Sequence, residues 1–190
     1  MEAWPGCAFL ASWRGGQNKV DLDELNSLPE AQADQTLLDC CGSTRWASRM
    51  AEQRPFADLN NLYDSADSIW RSLEGNDWLE AFSRHPQIGQ NAEAGSVSSR
   101  KWAEGEQTGA RSATENVKAR LAQRNQNYRD KFGYIFIVCA TGKSAEEMLA
   151  LLEQRIQNGP ANELNAAANQ QRLITRLRLE KLLTAERLSP

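Results

Sequence analysis

The sequence predicts an all-α fold, a single multi-helix domain with one short extended segment near 135–140. Three observations carry this reading. Residues 58–74 place Leu59, Leu62, Tyr63, Ala66, Ile69, Trp70 and Leu73 at i, i+3, i+4, i+7 spacing, the pattern of a helix with one apolar face. Two Ser-x-x-Glu sequences, Ser112 to Glu115 and Ser144 to Glu147, read as capping boxes at helix starts. Finally, Ile135-Phe136-Ile137-Val138-Cys139-Ala140 is strand-like, but no second run of similar quality exists to pair with it. An unpaired strand cannot make a sheet, so the run reads as an extended piece inside a helical domain.

The elements follow in order. Val20, Leu22, Leu25 and Leu28 open the domain, and Pro29 marks a turn or a new first helical turn. Leu37, Leu38 and Cys41, then Trp46 and Met50, form short helical pieces broken at Gly42-Ser43, and Arg54-Pro55-Phe56 breaks the chain again. Asp58 is the expected N-cap of the 58–74 helix. Gly75-Asn76-Asp77 is read as its stop and as the cap of a short helix through Trp78 and Phe82. Residues 90–98 read as a loop, and the stretch from Ser98 through Trp102 is a helix weakened by Gly105 and Gly109. The helix after Ser112 sets Val117, Leu121, Arg124 or Asn125, and Tyr128 on one face and ends at Gly133. The helix after Ser144 carries Met148, Leu151, Leu152 and Ile156 to a stop at Asn158-Gly159-Pro160. Asn162 is the expected cap of the last helix, whose inner face holds Leu164, Ala167, Ala168, Gln171, Ile174 and Leu177 or Arg178.

Composition bounds the function. The 190 residues are 41% hydrophobic and 25% charged, ordinary for one globular domain, taken as residues 21–187. Residues 1–20 read as an N-terminal extension of the kind that stays disordered unless tied down, and show no signal-peptide pattern. A net charge of −3 argues against nucleic acid or an anionic membrane as partner. No apolar run approaches the roughly 18 residues of a membrane span. The cysteines (Cys7, Cys40, Cys41, Cys139) form no CxxC pair and the chain has one histidine, so no metal site is expected. Reduced thiols and a C-terminal Leu188-Ser189-Pro190 that is no peroxisomal tripeptide leave the cytoplasm as the expected location, with Cys139 a buried core thiol.

Little in the chain can carry chemistry. There is no phosphate-binding glycine loop and no Ser-His-Asp order, and Gly142-Lys143-Ser144 lacks the upstream glycine of a P-loop. The one histidine, His85, stands in Arg84-His85-Pro86-Gln87-Ile88-Gly89. Pro86 disfavours helical backbone at His85, so the preceding helix should stop at or before it and present the imidazole at a helix end. A lone histidine there is more often structural or merely exposed. Glu104 and Glu106 point to different faces of a helix, so only one could share a pocket with His85, and either could be solvated. Arg172, Arg176 and Arg178 could be a solvated basic face near a helix C-terminus.

The ordered set His85-Pro86-x-Ile88-Gly89, Glu106-Gln107, Lys131-Phe132-Gly133-Tyr134-Ile135-Phe136-Ile137, Gly142-Lys143-Ser144 and Arg176-Leu177-Arg178-Leu179 resembles the 2-oxo-4-hydroxy-4-carboxy-5-ureidoimidazoline (OHCU) decarboxylase family of urate degradation. Leu22-x-x-Leu25-Asn26 and Arg54-Pro55-Phe56 also fit, and the likeness spans about residues 21–185. Where the family often has serine three residues before the Glu-Gln pair, this chain has Ala103. The resemblance implies an all-α homodimer that needs no metal or organic cofactor and forms (S)-allantoin from a ureide. It implies His85 as catalytic acid/base, with Glu106 and Arg178 in the catalytic set. Pro86, Ala103, Gln107 and backbone groups of Phe136, Ile137, Val138, Cys139 and Ala140 would line the substrate pocket. Arg176 and Arg178 lie about 200° apart on a helix, so only one should face the substrate anion.

The chemistry suits these residue types. The substrate carboxylate sits next to a C=N bond that accepts the electrons left by carbon dioxide, so no cofactor sink is required. A histidine with a pKa near neutrality suits proton delivery, and arginine suits planar recognition of a carboxylate. Peptide groups not paired in a sheet could read a ureide's many N–H and C=O groups. The competing readings are a non-catalytic helical interaction domain and an enzyme of the same fold acting on another ureide.

Overall fold

The structure is a computed structural model that describes residues 20–86 and 114–183. Among these residues it contains eight helices and no strand: α1 (Leu22–Ser27), α2 (Glu30–Cys41), α3 (Thr44–Glu52), α4 (Leu59–Arg71), α5 (Gly75–Ser83), α6 (Glu115–Phe132), α7 (Ala145–Arg155) and α8 (Pro160–Leu183). The 90–98 loop, the 98–109 segment and Ser112 lie outside the described residues.

Local chemistry explains most boundaries. Asp58 caps α4, its carboxylate accepting from Asn61 N–H at 2.8 Å. Ser144 and Glu147 form the expected capping box of α7. Gly42 (φ +88°) and Gly133 (φ +81°) end α2 and α6 in the left-handed region that favours glycine.

Four boundaries differ from expectation. α4 ends at Arg71, and Glu74 rather than Gly75 precedes α5, its N–H donating to Asp77. Thr114 caps α6, accepting from Val117 N–H at 3.4 Å, while Glu115 is already helical and pairs with Lys118. The last helix starts two residues before Asn162 because Pro160 takes the first helical position, where its missing N–H costs nothing, and Glu163 N–H already bonds Gly159 O. Cys139 is half-buried, not a core thiol, because its alternate neighbours fill the core instead.

Two apolar clusters hold the domain. The larger joins α1 to α5 with α8, around Leu37, Trp46, Met50, Leu62, Phe82, Ile174 and Leu179. Indole N–H groups tie it across helices: Trp46 to Ala66 O (3.1 Å), Trp70 to Ala168 O (2.9 Å) and Trp78 to Trp70 O (3.2 Å). The smaller cluster joins α6 and α7 around Leu121, Tyr128, Met148 and Leu152. The extended segment runs between them with strand-like alternation. Phe136, Val138 and Ala140 enter the smaller cluster, whereas Ile135, Ile137 and Cys139 pack against the larger. A period-two segment buried on both sides is what a run of six apolar residues can supply without a sheet.

Candidate active site

His85 stands where the sequence puts it, past the end of α5. The helix stops at Ser83, and His85 N–H makes a last turn bond to Phe82 O at 3.1 Å. The position of α5 is set by the α2–α3 turn. A Cβ on Gly42 would lie 3.2 Å from Ala81 O and 3.3 Å from Ala81 Cα, so only glycine lets the turn approach α5 this closely. Ser43 then starts α3, and Glu80 of α5 accepts from Thr44 N–H at 3.0 Å and from its hydroxyl at 2.6 Å. The imidazole is thus carried on a helix end clamped by the neighbouring turn.

The long helix α8 supplies the other side. Gln171, Thr175 and Arg178 are all buried and lie at i, i+4, i+7, a polar stripe inside the larger cluster. Arg178 is 4% exposed, within electrostatic reach of His85 and of the thiols of Cys40 and Cys41 at the end of α2. A cation at a helix C-terminus is favoured by the helix dipole. Gln171 donates to Cys41 O at 3.0 Å and approaches Thr175 Oγ1 at 3.3 Å. Arg176 points elsewhere: it stacks on the Tyr63 ring at 3.4 Å and pairs with Glu180 at 2.8 Å. Arg172 pairs with Asp67 at 2.6 Å. Of the two arginines left open by helical spacing, Arg178 is therefore the inward one.

The environment sets the protonation states. Burial holds the His85 imidazole down to about 3 from its ordinary 6.5, and the positive Arg178 pushes the same way, while the Gln171 amide opposes. The expectation of a pKa near neutrality is thus corrected: at pH 7 the imidazole is neutral. Burial also pushes the Cys41 thiol up to about 12 and the Cys40 thiol higher, so both are inert neutral groups.

The extended segment approaches this site from α8. Cys139 N–H donates to Gln170 Oε1 at 3.0 Å, one residue from Gln171, and Tyr134 packs on Phe82, three residues before His85, with ring centroids 5.4 Å apart. Its peptide groups are only partly open. Cys139 O accepts from Lys143 Nζ (2.9 Å), Ile137 O from Arg155 Nη1 (2.7 Å) and Ala140 O from Lys143 N–H (3.0 Å). The peptide groups of Phe136 and Val138 have no hydrogen-bond partner among the described residues. Pro86 is half-buried beside His85. Ala103, Glu106 and Gln107 lie outside the described residues. In the sequence Gln171 is only one position of a mostly apolar stripe. A primary amide among Ala167, Ala168 and Ile174 is itself the signal, because a buried amide must find partners.

A family model described as OHCU decarboxylase matches residues 26–180. The chain belongs to the OHCU decarboxylase family. It is 38% identical over 148 residues to the uric acid degradation bifunctional protein TTL of Arabidopsis thaliana, covering 76% of this chain but 45% of that one. The chain thus spans less than half the length of that bifunctional relative. It is 27% identical to the 2-oxo-4-hydroxy-4-carboxy-5-ureidoimidazoline decarboxylase of Amia calva, covering 86% and 95% of the two chains. A crystal structure of OHCU decarboxylase in the presence of (S)-allantoin is similar with a TM-score of 0.69 and 37% identity, over 79% of this chain and 98% of that one.

Proposed function

We propose that this chain decarboxylates 2-oxo-4-hydroxy-4-carboxy-5-ureidoimidazoline to (S)-allantoin, with His85 as acid/base and Arg178 as the partner of the substrate carboxylate. The observation that carries the reading is the buried Arg178 set against a neutral His85 within this family's fold. The bond to carbon dioxide breaks, its electron pair flows into the neighbouring C=N, and a proton delivered to one ring face sets the stereocentre. A neutral imidazole must take a proton before it gives one, so His85 enters as a base. An incoming carboxylate offsets the charge of Arg178 and raises the affinity of His85 for that proton. Glu106, Gln107 and the backbone of Phe136 and Val138 would hold the ureide, with Ala103 standing where the resemblance leads one to expect a serine.

The same reading includes a homodimer without metal or organic cofactor, in the cytoplasm. Free thiols at Cys40 and Cys41 suit a reducing compartment, and no helix among the described residues is long and apolar enough to cross a membrane. The test supplies OHCU generated in situ from urate and follows allantoin by circular dichroism. Faster appearance of the (S) signal with the native chain, lost in His85→Ala, is expected. Equal rates with and without the native chain would remove the activity, and equal rates for the two chains would remove the role of His85.

A further inference from the structure

The extended segment 135–140 has no neighbouring strand among the described residues, yet three of its backbone polar groups are bonded along one edge, as a strand's would be. Arg155 Nη1 donates to Ile137 O at 2.7 Å, Cys139 N–H donates to Gln170 Oε1 at 3.0 Å, and Lys143 Nζ donates to Cys139 O at 2.9 Å. The bonds fall on alternate residues. In extended backbone the N–H and C=O of one residue point to the same edge, and those of the next residue to the opposite edge. Ile137 and Cys139 therefore share an edge on which three side chains take the place of a partner strand. Phe136 and Val138 present the other edge, and their peptide groups have no partner among the described residues.

Arg155 also belongs to the Glu163 network, but Gln170 and Lys143 make no other side-chain hydrogen bond among the described residues. Lys143 is folded back onto the segment by a turn in which Gly142 has φ +77° and Lys143 N–H bonds Ala140 O at 3.0 Å. Ser144 then caps α7. The Gly142-Lys143-Ser144 triplet, which makes no phosphate loop, is thus a turn, a latch and a cap in succession. Cys139 is only half-buried, so solvent is at hand for its peptide groups. Two side chains from separate elements instead fix where those groups point. We propose that Lys143 and Gln170 are positioning residues: they hold the Cys139 N–H and C=O from the turn before α7 and from α8, and so set the angle at which Phe136 and Val138 present their own peptide groups to the ureide. The last clause rests on the decarboxylase reading; the clamp on Cys139 does not.

Amide hydrogen exchange reads the clamp. Gln170→Leu fills the place without an acceptor and should speed exchange of the Cys139 N–H about tenfold or more, whereas Gln170→Glu keeps an acceptor and should not. Steady-state kinetics on OHCU read the consequence. Lys143→Met and Gln170→Leu should each raise KM about tenfold with kcat within about twofold, because the groups they hold bind substrate while His85 moves the proton. Lys143→Arg keeps a donor and should bring KM back to within about threefold of native. Loss of folded protein alone would lower the apparent kcat and leave KM unmoved. A native KM in either Lys143→Met or Gln170→Leu, or Cys139 exchange that Gln170→Leu does not change, overturns the proposal. If Gln170→Leu does not fold, the Lys143 pair decides, and a KM unchanged in Lys143→Met or raised equally in Lys143→Arg overturns it. Native turnover with unmoved variants leaves the decarboxylase reading standing. A native chain that does not turn over OHCU sinks that reading and the role towards substrate, and Cys139 exchange then decides the clamp by itself.

Discussion

Near its first turn α8 buries Glu163, and near its last turns it buries Arg178, about 22 Å further along the same helix at 1.5 Å per residue. The Glu163 carboxylate is fully met. It accepts from the Tyr128 hydroxyl, from Arg155 Nε (2.9 Å) and Nη2 (2.5 Å), and from Asn158 Nδ2 (2.7 Å). Arg155 spends its remaining end on Ile137 O and lies over the Phe136 ring at 4.7 Å. At the other end His85 and Gln171 keep buried polar atoms without partners among the described residues. A satisfied network rigidifies, and here it pins the extended segment between the two apolar clusters. An incompletely satisfied one is held ready for a ligand's atoms. One helix thus buries an acid whose carboxylate is fully bonded at one end and a cation beside His85 at the other.

Breaking the satisfied end should have the largest effect on stability. Glu163→Leu strands the Arg155 cation and should destabilise the protein by about 3–5 kcal/mol in urea unfolding. A change below about 1 kcal/mol would mean that Arg155 finds water and that the network is not a brace. At the other end the effect expected is on turnover. Arg178→Met should lose roughly 10²-fold or more in kcat/KM. The same substitution should raise the His85 pKa, since Arg178 lowers it. Unchanged turnover would move the anion contact elsewhere.

Gly42→Ala tests the frame shared by His85 and Gln171. A left-handed φ of +88° and a Cβ at 3.2 Å from Ala81 O should cost about 1–2 kcal/mol, with turnover falling further than stability accounts for. Loss of stability with full turnover per folded molecule would show that the site tolerates a shifted α5.

A further effect is on pH dependence. The folded pKa of His85 is depressed from 6.5 to about 3, so its contribution is present above about pH 6.5 and is lost as pH falls towards 3. His85→Asn should make the decline in stability over that window shallower, and an identical slope would place the imidazole in solvent.

Caps, glycine stops and the long amphipathic helix were legible because each depends on neighbours within a few residues. Asp58, Ser144 with Glu147, Gly133 and the α4 stripe belong to this group. The misplaced starts, at Asn162 and Gly75, fall where several residues compete for one cap and a proline or an acidic side chain wins. At the site, His85 was legible through Pro86. Arg178 was visible only as one of two arginines, and Gln171 was hidden in an apolar stripe. The open peptide groups expected of residues 136–140 are fewer than foreseen, because Gln170, Lys143 and Arg155 reach them from elsewhere in the chain.

By itself, then, the sequence determined an all-α chain, a helix that must end before Pro86, and one imidazole at that end. Those are consequences of backbone sterics and of hydrogen bonds that close within a turn. Only the tertiary structure decided that Arg178 and not Arg176 turns inward, that the extended segment alternates between two clusters, and that Gln171 is buried on the Arg178 face of the last helix. The reason is burial. Which face of a helix meets which neighbour depends on surfaces far apart in the chain, and that choice also drives the imidazole pKa down and leaves two of the site's polar atoms without described partners.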